Sequence, residues 1–152
     1  MKHALKLSLI LVMTAAACGD ATPDDDAATT GEPSASEAPI GTVSILEPAD
    51  GAVVEGGTVT VRLSVDGVPI VEAGDMTLGT GHHHLYLDAD LTPADQPVPT
   101  VEGSIVHMGD ASADYTFENV APGEHRLIAV VADGAHFPLQ PWVVDTIMFT
   151  VP

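Results

Sequence analysis

Between residues 58 and 65 the chain alternates without a break, with Val59, Val61, Leu63 and Val65 on one parity and Thr58, Thr60, Arg62 and Ser64 on the other. Side chains of a strand point in turn to opposite faces, so this stretch predicts a β-strand with one buried and one solvated face. The signal recurs. Residues 43–46, 82–88, 104–108, 115–120, 125–132 and 143–151 carry further strand patterns. Between them lie turn formers: Pro48 and Asp50-Gly51, the prolines Pro93, Pro97 and Pro99, and Pro122-Gly123. No segment keeps a helical period over ten residues. The expected fold is all-β, an immunoglobulin-like antiparallel β-sandwich over residues 41–152, a length sufficient for one core.

Ahead of that domain the composition changes twice. Lys2 and Lys6 precede an apolar run over residues 7–17 that is too short to span a bilayer, which is the grammar of a signal peptide over residues 1–17. Ala15, Ala16 and Ala17 lead into Cys18, the single cysteine, and this resembles a lipoprotein signal in which Cys18 is cleaved free and acylated. Ala15 stands where such signals usually carry Leu, and the plainer alternative is an ordinary cleaved signal. Residues 18–40 then read as the acylated Cys followed by a disordered acidic linker that includes Asp24-Asp25-Asp26. The expectation is an extracytoplasmic protein, periplasmic or on the cell surface, joined to the membrane through its lipid anchor.

Charge narrows the partners. The chain has 4 basic and 22 acidic residues, and loss of the signal leaves only Arg62 and Arg126 as cations. Such a surface excludes nucleic acid and concentrates cations. There is no glycine-rich phosphate loop, no nucleophile elbow, no lysine after the signal and no free thiol once Cys18 is acylated, so an enzyme is not expected.

Histidines carry the functional expectation. Gly81-His82-His83-His84-Leu85-Tyr86-Leu87-Asp88 opens a strand on which His82, His84 and Tyr86 share one face, while His83 shares the other with Leu85 and Leu87, the residues expected to be buried. In an immunoglobulin-like sandwich the third and sixth strands are antiparallel neighbours, which brings His82 and His84 beside the loop carrying His136. A short strand at 104–108 returning beside the third brings His107 to the same rim. His82, His84, His107 and His136 are therefore the candidate metal ligands. His83, Met108, Asp110 and Asp133 are candidates for an extra ligand or for orienting an imidazole. His125, at the far end of its strand, is expected to be structural. Imidazoles suit Zn(II), Cu(II) or Ni(II), and Met108 or Met76 nearby favours Cu(I); Cu or Zn is the expected cofactor. Scattered carboxylates such as Asp75, Asp90 and Asp95 without an EF-hand pattern make calcium a weaker option.

These motifs, taken together, resemble the bacterial family known as domain of unknown function 4399. Its Gly-His-His-His-Leu-Leu-Ile-Asp signature is matched by residues 81–88 with Tyr86 and Leu87 substituted. His107-Met108-Gly109 resembles the family's His-Phe-Gly; residues 122–127 resemble its Pro-Gly-x-His-x-Leu; residues 133–138 resemble its Asp-x-x-His-x-Pro. The chain departs from it at Asp110-Ala111-Ser112, where Gly-Gln-Thr-Glu often follows, and at Leu139, where a second histidine is often found. The resemblance implies a fold and a site location but no reaction. The expected function is an exported, lipid-anchored binding module that holds a transition metal for sequestration or delivery. The alternative is a cell-envelope interaction or adhesion module that binds an envelope protein and whose histidines are structural.

Overall fold

In the computed structural model, which describes residues 40–152, eight strands follow one another: β1 (Thr42–Glu47), β2 (Ala52–Val53), β3 (Val59–Asp66), β4 (His82–Leu87), β5 (Ile105–Met108), β6 (Asp114–Phe117), β7 (Gly123–Ala132) and β8 (Val144–Val151). The signal-like segment, Cys18 and the acidic tether as far as residue 39 lie outside the described residues. Two sheets form, with strand orders β1-β3-β6 and β2-β8-β7-β4-β5.

Alternation becomes burial on β3. Val59, Val61 and Leu63 are buried and Thr60, Arg62 and Ser64 exposed, as a period of two requires. They meet Val43, Ile45 and Phe117 of their own sheet and Leu85, Leu87, Leu127, Ala129, Val131, Ile147 and Phe149 of the other, so the sheets are in contact across one core. Full burial of such a side chain contributes roughly 1.5–3 kcal/mol.

Two expectations need correction. β2 pairs with β8 in parallel, so the sheets are not wholly antiparallel. At two residues β2 has no period to read. Nor is β4 buried chiefly on its Leu85 and Leu87 parity, because every residue of it is buried. On the other face Tyr86 packs with Val98, Ile105, Ile128 and Val130, and its hydroxyl lies 3.0 Å from Thr92 Oγ1. The proline-rich connection after β4 thus forms a roof over the five-stranded sheet, with Ala89, Leu91 and Val98 turned inward. Period shows which residues share a face; it does not show whether a loop covers that face.

Candidate metal centre

The register of three strands assembles three of the four histidines. β4 pairs antiparallel with both β7 and β5, placing His82 opposite Ala132 and His84 opposite both Val130 and His107. His82 and His84, two residues apart, project from one face and are fully buried at 0 % exposure. His107 joins them from the neighbouring strand and is half-buried.

His136 arrives from the loop after β7, and its placement is tightly specified. The Asp133 carboxylate Oδ1 accepts hydrogen bonds from the amides of Ala135 and Phe137, each 2.9 Å, while the Asp133 carbonyl accepts from His136 N at 2.9 Å. The Asp133 amide in turn donates to Phe137 O at 2.9 Å. His136 itself is left-handed, at φ 71°, a conformation that costs a non-glycine residue and persists where the surroundings fix it. The roof contributes as well: Val98 N donates to His136 O at 2.8 Å.

Four imidazoles therefore face one another. One ring nitrogen from each of His82, His84, His107 and His136 lies within 4.8 Å of all the others. His82 Nε2 and His84 Nε2 are 3.0 Å apart, and His107 Nε2 and His136 Nε2 are 3.3 Å apart. Four nitrogens at about 2.0–2.1 Å from a tetrahedral zinc stand about 3.3–3.4 Å from one another, so these spacings are compatible with coordination.

Electrostatics keeps the lone pairs free. Burial, with repulsion from His107 and His136 and against attraction from Asp133, lowers the His82 pKa to about 4. Burial and the neighbouring imidazoles lower His84 to about 3. His107 is lowered by burial and by His136. Neutral imidazole is the form that binds a metal. The Nδ1 atoms of His82 and His84 are buried without a hydrogen-bond partner, which costs roughly 1–3 kcal/mol per group.

The remaining candidates stand elsewhere. His83 stands outside the four-histidine cluster: its register partners Met108 and Val131 both belong to the inter-sheet core, and its own ring is buried with Nδ1 unpartnered. Met108 is buried in that core for the same reason of parity, one residue out of phase with His107. Asp110 is exposed and its Oδ1 accepts from Ser112 N at 3.1 Å. Asp133 acts on His136 through the loop backbone, as described above. Met76 is exposed and lines a hollow of about 150 Å³ with Asp133 and Gly134, and none of the four histidines lines it. His125 lies at the other end of β7, donating to Asp88 Oδ2 and to Ala121 O, each at 2.7 Å.

Two positions escaped the sequence reading. A Cβ on Gly109 would come within 2.7 Å of His107 Cε1 and 3.2 Å of Ala73 Cβ, so the missing side chain leaves the His107 ring its place. A Cβ on Gly134 would collide with Asp75 O, which shows how closely the loop before β4 packs on the His136 loop. Gly109 carried a signal only as part of His-Met-Gly; the contact that makes it necessary joins segments far apart in the chain.

None of the curated proteins matches the chain significantly. Among solved structures, a crystal structure of an engineered protein aligns at 15% identity with a TM-score of 0.40, over 74% of this chain and 20% of that one. So slight a likeness bears on neither fold nor function. Residues 61–152, more than half of the chain, match the family described as Domain of unknown function (DUF4399), and the chain belongs to that family.

Proposed function

We propose that this protein is a non-enzymatic module that binds one transition-metal ion, Cu or Zn, through His82, His84, His107 and His136, for sequestration or delivery. The observation that carries this reading is the mutual approach of four ring nitrogens drawn from β4, β5 and the loop after β7. Structural histidines would look different. Both nitrogens of His125 end on a carboxylate and a carbonyl, whereas His82 and His84 point Nε2 at each other.

Four protein nitrogens fill a tetrahedral shell, with no position kept for water, which is the pattern of a holding site and not of a hydrolytic one. Export and lipid attachment at Cys18 complete the proposal: the acidic chain would draw cations to a domain tethered outside the cytoplasm. The strand orders β1-β3-β6 and β2-β8-β7-β4-β5 are those an immunoglobulin-like sandwich would have, with β4 and β7 as its third and sixth strands. Calorimetric titration of the full chain with Zn(II) and Cu is expected to give one tight site that disappears when His82→Ala and His84→Ala are combined. Absence of saturable binding in the parent protein ends the proposal.

A further inference from the structure

We infer that the centre selects a tetrahedral d10 cation, Zn(II) or Cu(I), and discriminates against the tetragonal shell that Cu(II) prefers; this rests on the metal-binding reading above and goes beyond it. The six distances between ring centroids carry the inference. They are 4.8 Å for His82–His84, 5.0 Å for His82–His107, 4.9 Å for His82–His136, 5.2 Å for His84–His107, 5.6 Å for His84–His136 and 4.7 Å for His107–His136.

Four points at the corners of a square have two diagonals about 1.4 times their edges, the arrangement that tetragonal Cu(II) or Ni(II) imposes. Here the longest separation, 5.6 Å, exceeds the shortest, 4.7 Å, by a factor of about 1.2 and no pair stands out as a diagonal. The rings mark a nearly regular tetrahedron. Their nitrogens turn inward, since the Nε2 separations of 3.0 and 3.3 Å are shorter than the 4.8 and 4.7 Å between the same rings. Those two pairs share no member, so they are opposite edges of the figure, near the edge of about 3.3–3.4 Å that a tetrahedral Zn–N shell demands, and all four nitrogens lie within 4.8 Å of one another, a spread that an ion would draw in.

The frame resists flattening. Two corners are fixed by the register of β4 between β5 and β7, deep under the roof, and neither His82 nor His84 has exposed surface into which to swing. The third, His107, lies so close to Gly109 that a Cβ there would come within 2.7 Å of its ring, and the fourth is set by the Asp133 hydrogen bonds. Among the described residues the cluster of possible ligands holds four histidines and no carboxylate. With thioethers also outside the cluster, the donors are four neutral nitrogens, and geometry decides among ions that imidazole alone would rank by the Irving–Williams order.

The test uses Co(II) as the geometric probe on the full chain, with competition titrations of Zn(II), Cu(II) and, under reductant, Cu(I). A tetrahedral shell gives visible Co(II) absorption about tenfold or more above that of six-coordinate aqueous Co(II), and the preference for Cu(II) over Zn(II) falls about 100-fold below that of free imidazole. Saturable binding of Zn(II) or of Cu(I) at one equivalent supports the inference and identifies the ion. Weak Co(II) bands from a six-coordinate shell, or a Cu(II) preference equal to that of free imidazole, overturn the inference while leaving metal binding intact. Failure of every ion to bind overturns both.

Discussion

His84 on β4 and His107 on β5 are register partners, and their rings stack with centroids 5.2 Å apart and planes 27° from parallel. The same pairing sets His83 against Met108 one residue away, on the core side. A slip of one residue would exchange the two faces, taking His107 away from His84 and turning Met108 out of the core. Hydrophobic burial and the candidate metal centre are therefore specified by one register.

Bound metal stabilises the fold, because the site is assembled only in the folded chain. At a free ion concentration of about 100 times Kd the gain is roughly 2.7 kcal/mol, an upward shift of about 10 °C in a domain of this size. Scanning calorimetry with and without Zn(II) checks it. An unchanged midpoint at saturation is the contrary result.

Gly109→Ala pushes on the His107 ring, which a new Cβ would approach to 2.7 Å. Circular dichroism is expected to stay that of the parent, while metal affinity falls roughly 10–100-fold, the range for a group that orients a ligand. Parent-like affinity would show that the ring tolerates the methyl group.

Asp133→Ala removes both amide contacts that hold the turn before and after His136. The left-handed conformation of His136 then loses its support, and affinity is expected to drop by about 10-fold or more with the contributions of His82 and His84 retained. NMR of the loaded variant, read at the His136 ring, distinguishes a released fourth ligand from an intact shell.

His125 gives a pH dependence independent of the metal. Burial works to lower its pKa, but the hydrogen bonds to Asp88 and to Ala121 O, with the Asp88 charge, raise it above the ordinary 6.5. Both nitrogens donate, so the bonded form is the imidazolium. Its stabilisation is complete below pH 6.5 and is lost as pH rises through the raised folded-state value. Asp88→Asn is expected to cost about 1–3 kcal/mol at pH 6, and the gap to the parent to close toward alkaline pH. Urea denaturation at a series of pH values measures it, and a gap that does not change with pH would contradict the assignment.

Much of this was legible in the residues. Strict alternation at 58–65 fixed a strand and its buried parity, and the parity of His82 and His84 put them on one face before any partner was known. Placing His107 and His136 beside them needed topology, and the antiparallel neighbours β4 and β7, with β5 on the other side, supplied it. Met108 was misplaced because adjacency to His107 in sequence is opposition across a strand. The roof over Tyr86 and the approach of Gly109 to His107 depend on irregular segments meeting at long range, for which no period exists.

X-ray absorption at the zinc edge of the loaded full chain tests the central claim most directly. Four nitrogen scatterers at about 2.0–2.1 Å, with the outer-shell pattern of imidazole rings, are predicted. A shell of five or six oxygen and nitrogen atoms, or one with fewer than three imidazoles, would contradict it.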